Sequence, residues 1–192
     1  VDVATDSPSA IIIPKKALNL LKSSLPTDNT ALSMEFNQSN AFFTFGNTKL
    51  ICRLIDERFP DYENVIPLEN PNKLIISRIE LLNCLKRISI YANKTTHQVR
   101  LKMSGSELQV SAEDLDFSNE ANERLVCEYA GEDMEIGFNA KFLLEMLNNL
   151  DSESITLSMS QPNKAGLISP TDGSANEDIL MLVMPVMLNS YA

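Results

Sequence analysis

The sequence predicts an α+β protein in which amphipathic helices lie on antiparallel strands. Three observations carry this. A strand–helix–strand unit occurs twice, the segments after each helix alternate apolar and polar residues with period two, and each helix spaces its leucines by three and four. Laying the chain on itself at an offset of 125 positions (Leu18 onto Leu143) aligns residues 13–25 with 138–150. Leu18, Leu21 and Leu25 then coincide with Leu143, Met146 and Leu150, and Leu32-Ser33-Met34 coincides with Leu157-Ser158-Met159.

Taken in order, Ile11-Ile12-Ile13 is an extended entry to a first helix over 14–25, buried through Leu18, Leu21 and Leu25. Residues 31–36 alternate as a strand, with further strands at 42–45 and 49–55. The run from Arg58 to Pro67 is apolar but broken by Pro60 and Pro67, which bars it from a helix interior or a central strand and reads as a linker. Ser77-Arg78-Ile79-Glu80 is a capping box opening a second helix with the stripe Ile79, Leu82, Leu85 and Ile88. Strands at 99–103, 107–112, 122–129 and 134–138 lead to a third helix ending at Leu150. Strands at 154–159, 166–169 and 179–183 complete the chain. Val1–Asp6 resembles residues 108–113 at the shorter offset of 107 (Val3 onto Val110), so about 18 residues are expected to be missing after Asp6. The expected organisation is the back half of one domain plus a linker over 1–67, then a complete domain over 68–192.

A net charge of −10 excludes indiscriminate adhesion to nucleic acid over the whole surface, and leaves only a segregated basic face as a route to it. No apolar run reaches the roughly 20 residues of a membrane span, and the N-terminus has no signal-peptide core. The odd set Cys52, Cys84 and Cys127 sits among apolar residues, as expected of buried reduced thiols in a cytoplasmic protein. With Val1 in place of an initiator Met, the chain is expected to be a processed, trimmed or partial piece. No CxxC pair, HExxH motif, glycine-rich phosphate loop or nucleophile–base pair is present, so no enzyme activity, metal or cofactor is expected. His97 and the acidic run Glu113-Asp114-Leu115-Asp116 read as solvated loops.

The cations do segregate. Lys15, Asn19 and Lys22 lie opposite the first leucine stripe, with Lys16 beside them. Lys86 and Arg87 lie off the second stripe, and Lys141 shares the outward face of the third helix with Glu145 and Asn148. Three helices with the same bias point to a DNA-facing surface. Its contacts go to phosphates and carry no sequence information.

Val3-Ala4-Thr5-Asp6, Arg58-Phe59-Pro60-Asp61-Tyr62, Met134-Glu135-Ile136-Gly137-Phe138-Asn139 and Val183-Met184-Pro185 together resemble the bacterial DNA polymerase III beta subunit, the DNA sliding clamp. The resemblance implies a clamp fold of repeated two-helix units on antiparallel sheets, with the chain covering the end of domain two and all of domain three. It implies a homodimeric ring around duplex DNA, acting as a processivity factor in the cytoplasm, on the nucleoid. DNA polymerase III alpha, the clamp loader and repair proteins are the implied partners. They dock a peptide ending in Leu and Phe into a hydrophobic pocket between domains two and three. The positions that the resemblance assigns to this pocket are Pro60, Val65, Phe142, Ala165, Leu182, Val183, Met184, Pro185 and Val186. The ring interface it implies uses Ile90 and Tyr91, with Glu120 and Glu123 facing basic residues of a partner.

Three departures from the family pattern bear on peptide selectivity. Ser7-Pro8-Ser9 stands where Gly-His-Arg-Leu is usual, Phe142 lacks a tyrosine hydroxyl, and Met187 replaces a near-terminal arginine. The other reading is a peptide-binding adaptor that uses the clamp fold without encircling DNA.

Overall fold

The computed structural model describes residues 9–173 and 177–188. The repeat match at Val1–Asp6 lies outside them. The chain divides into two compact units, Val1–Asp61 and Tyr62–Ala192, so the division falls within the proline-broken linker rather than after Pro67.

In the first unit, α1 (Lys15–Ser24) packs on a three-stranded antiparallel sheet of β1 (Ser33–Phe36), β2 (Asn40–Phe45) and β3 (Thr48–Arg53). Alternation on β2 buries Ala41, Phe43 and Phe45 against Leu21. The inward line of α1 is half-buried Ala17, buried Leu21 and half-buried Leu25 at four-residue spacing, and Leu18, expected inside, is 44% exposed. It stands about 60° around the helix from Leu21, at the margin of what one small sheet can cover. The strand expected over 31–36 forms as β1, but all four of its residues are exposed, because it is the sheet edge and no described element of this unit covers it. Ile11-Ile12-Ile13 is extended without being a strand, and a single bond, from the Ile55 N–H to the Ile12 carbonyl (3.0 Å), ties it down.

The second unit contains β4 (Asn72–Ser77), α2 (Arg78–Ile88), β5 (Gln98–Ser104), β6 (Glu107–Asp114), β7 (Asn119–Val126), β8 (Glu128–Ala130) and β9 (Met134–Asn139). It continues with α3 (Ala140–Asn148), β10 (Ser154–Met159), β11 (Gly166–Pro170), β12 (Met181–Val183) and β13 (Pro185–Val186). Two five-stranded antiparallel sheets result, ordered β12-β11-β10-β4-β8 and β13-β9-β5-β6-β7. The edge strands of the two sheets are consecutive in sequence. β7 runs into β8 through Cys127, and β12 runs into β13 through Met184, so the chain joins the sheets at both margins. One core, from Leu74 to Val183, fills the space between them with α2 and α3.

Three sequence expectations change here. The single strand expected over 122–129 is two strands in different sheets: the Cys127 N–H still bonds the Ser106 carbonyl (3.0 Å), in register with β7 on β6, and from Glu128 the chain pairs with β4 instead. The strand Asn72–Ser77, unassigned from sequence, is an inner strand of its sheet, between β10 and the edge strand β8. On α2 the buried residues are Leu81, Leu82, Cys84, Leu85 and Ile88, whereas Ile79 is exposed. At 100° per residue Ile79 lies about 160° from Leu81, on the far side of the helix.

Arg78 locks the two helices together. Its Nε–H donates to the Ser152 carbonyl (2.7 Å) and an Nη1–H to the Leu147 carbonyl (3.2 Å), satisfying carbonyls at and beyond the end of α3. Its own N–H donates to the Glu153 carbonyl (2.9 Å). His97 is half-buried, with φ of +50°, and its carbonyl accepts the first N–H of α3 from Ala140 (2.8 Å). It is therefore part of the α3 start, and the loop is not freely solvated. Asp114 is likewise buried, accepting from the Asp116 N–H (3.1 Å) and from Asn93 Nδ2 (3.5 Å). Arg78→Ala is expected to cost about 1–3 kcal/mol. Urea denaturation would show it as a lower midpoint at an unchanged slope.

Candidate functional site

The terminal segment is built by alternation and then by a change of sheet. Met181, Leu182 and Val183 pair with Ile168, Leu167 and Gly166 on β11. Pro185 and Val186 pair with Phe138 and Gly137 on β9. Proline is tolerated at an edge, where its missing N–H leaves no central ladder bond unmade. Met184, between the two pairings, is 60% exposed. β9 leads directly into α3, whose start is capped by Asn139, with Oδ1 accepting the Lys141 N–H (2.9 Å). Phe142, in that first turn, is also more than half exposed. Since α3 packs against β12 and Pro185 sits opposite Phe138, Phe142 and the 182–186 segment belong to one small neighbourhood.

The nine expected pocket residues therefore divide. Phe142 and Met184 are exposed, and Leu182, Pro185 and Val186 are half-buried at the surface. Val183 (2% exposed) and Ala165 (6%) are core, so their side chains are not available to a ligand. Val183 is fixed there by Gly166, against which it packs. Pro60 in the first unit and Val65 in the 3₁₀ turn Glu63–Val65 of the second are both exposed.

Gly137 is a site determinant that the stripe analysis passes over. A Cβ there would lie 2.5 Å from the Val186 carbonyl oxygen and 2.8 Å from Leu188 Cδ2, so only glycine lets the terminal segment close onto β9. The signal available in sequence is a glycine inside a strand pattern, which marks close backbone approach.

All six expected cations are exposed. Arg87, however, is engaged: its Nε–H donates to Glu123 Oε2 (3.1 Å) and its Nη2 pairs with Glu123 Oε1. This joins a residue expected to face DNA to one expected at a subunit interface. On β7, Ala121, Glu123 and Leu125 are half-buried and turn towards α2, while Glu120, Asn122, Arg124 and Val126 turn outward. Glu120 and Glu123 therefore lie on opposite faces of β7, and only Glu120 keeps the expected outward aspect. Ile90 and Tyr91, in the 3₁₀ turn Ser89–Tyr91, are exposed as an interface requires.

The titration shifts follow from these contacts. Hydrogen bonding from Arg87 lowers the Glu123 carboxyl below the usual carboxylate range. Burial, with Glu123 adding to it, pushes the Cys84 thiol up to about 12. Burial also raises Cys127. Both thiols are inert packing groups, and Cys52 is half-buried rather than buried. Arg100 (3.1 Å) and Lys102 (3.2 Å) both pair with Glu135 on the outer face of the second sheet. No described helix is long and apolar enough to cross a membrane.

Comparison with known proteins agrees with this architecture. A Pseudomonas aeruginosa sliding clamp solved bound to griselimycin superposes with a TM-score of 0.86 at 29% identity, over 93% of this chain and 47% of that one. The fold is the sliding-clamp fold. Residues 63–187 match the C-terminal domain of the DNA polymerase III beta subunit, and residues 1–61 match its central domain. The chain belongs to the DNA polymerase III beta-subunit family of sliding clamps, non-catalytic accessory subunits in DNA replication. The beta sliding clamp of P. aeruginosa is 29% identical over 178 residues, 93% of this chain and 47% of that protein. That of Haemophilus influenzae is 30% identical over 173 residues, 90% and 47%. The chain spans about half the length of these relatives.

Gly137→Ala is expected to lift the terminal segment off β9. Hydrogen exchange at the amides of 186–188 should rise about tenfold or more while the Leu101 amide stays protected. Equal protection in both proteins would show that the close approach is not required.

Proposed function

We propose that the protein acts as a DNA polymerase processivity factor, in a dimeric ring that encircles duplex DNA and docks polymerase, clamp-loader and repair proteins through a short peptide. The observation that carries the docking role is the exposed apolar pair Phe142 and Met184, set where the terminal segment changes sheets. Large apolar groups held on rigid elements are the usual anchors of such sites. Leu182, Pro185 and Val186 supply the walls. Methionine suits a site that must accept several peptides, because its unbranched thioether repacks at little cost.

Exposed Lys15, Lys16, Lys22, Lys86 and Lys141 would face DNA phosphates on a protein of net charge −10. Contacts of that kind suit a ring that slides, since they hold without reading sequence. Ile90, Tyr91 and Glu120 would meet the partner subunit.

Fluorescence polarisation with a labelled Gln-Leu-x-Leu-Phe peptide tests the docking reading. Met184→Ala is expected to weaken binding about 5- to 30-fold, the equivalent of roughly 1–2 kcal/mol. Binding that is absent, or unchanged by the substitution, would overturn it.

A further inference from the structure

β7 is an edge strand, bonded on one side only, to β6. Its unpaired edge presents N–H and C=O groups, and its outward row is Glu120, Asn122, Arg124 and Val126, with Val126 among the most exposed apolar residues. An edge strand with one neighbour must be held by its inner face. Here that face is modest: Ala121 and Leu125 are only half-buried, and between them stands a carboxylate, Glu123.

The carboxylate is met from α2. Arg87 bonds it through both Nε and Nη2, the bidentate fork that matches guanidinium to carboxylate in one plane. Cys84, three residues earlier on α2, is fully buried and lies against the same carboxylate. Lys86, the neighbouring cation, makes no salt bridge among the described residues. Adjacent cations on one helix thus have different employment.

We infer that Arg87 is a positioning residue, whose clasp on Glu123 pins the edge strand β7 to α2 so that its outward row is presented at a fixed height to the partner subunit, and whose guanidinium is thereby withdrawn from the DNA-facing surface. The presentation to a partner rests on the ring-interface reading above; the pinning does not. An inward charge in the middle of an edge strand also opposes slippage, since a one-residue shift would turn Glu123 outward and break both bonds.

The test uses the 192-residue chain and the variants Arg87→Ala, Glu123→Ala, both together, and the exchange Arg87→Glu with Glu123→Arg. Amide hydrogen exchange over 119–126 is expected to rise about 2- to 5-fold in each single variant. The double alanine variant should be no worse than either single one, and the charge exchange should restore protection. Restoration by a swapped pair is something a general packing role for either side chain would not produce. In parallel, the salt dependence of binding to duplex DNA is measured. Lys86→Ala should reduce the log–log slope by about 0.9, whereas Arg87→Ala and the charge exchange should leave it unchanged. Unaltered exchange in the single variants, no recovery in the swap, or a slope lowered by Arg87→Ala as by Lys86→Ala would each overturn the inference. A slope insensitive to Lys86→Ala would sink the DNA-facing reading, with the exchange measurements still deciding the role of Arg87.

Discussion

The second unit depends on how its two sheets are joined. Each sheet ends in edge strands, and an edge left to itself exposes unpaired backbone groups. Here the margins are continuous chain: β7 becomes β8 at Cys127, and β12 becomes β13 at Met184. Closure at both sides lets the sheets share a single core, which α2 and α3 complete. One residue stands at each crossing, and what becomes of it depends on what lies beside it. Cys127 is buried against the core, whereas Met184 is left outside. The same topological step gives a buried thiol at one margin and an exposed thioether at the other.

Electrostatics in this chain is local rather than global. Although the net charge is −10, Glu123 is matched by Arg87 and Glu135 by both Arg100 and Lys102. Exposed pairs of this sort contribute little individually to stability. Their consequence is geometric, because each fixes a side chain that could otherwise point elsewhere. The helix lysines are left to give the protein its basic surface.

Much of the architecture was legible in the sequence because periodicity reports burial. The leucines of α3, the alternation of β5, β6 and β10 and the Ser77 cap of α2 all lie where their spacing puts them. Reading failed where burial depends on coverage rather than on pattern. Leu18, Ile79 and the whole of β1 have apolar residues at regular spacing, yet nothing described lies over them. It also failed at sheet changes: 122–129 contains no glycine or proline to interrupt it, and no residue type marks Cys127 as a turning point. The candidate site shows the same limit, since the terminal residues read as one apolar run while the fold sorts them into core and surface.

The sequence by itself determined that the chain holds a repeated α+β unit, that its helix cations are segregated, and that a proline-broken apolar segment closes it. These are properties of spacing and composition, which folding does not alter. Only the tertiary structure decided that Val183 faces the core while Met184 faces out, that Gly137 admits the terminal strand, and that Arg87 is spent on Glu123. Each of these depends on what a distant segment places opposite a side chain, and one-dimensional spacing carries no record of that.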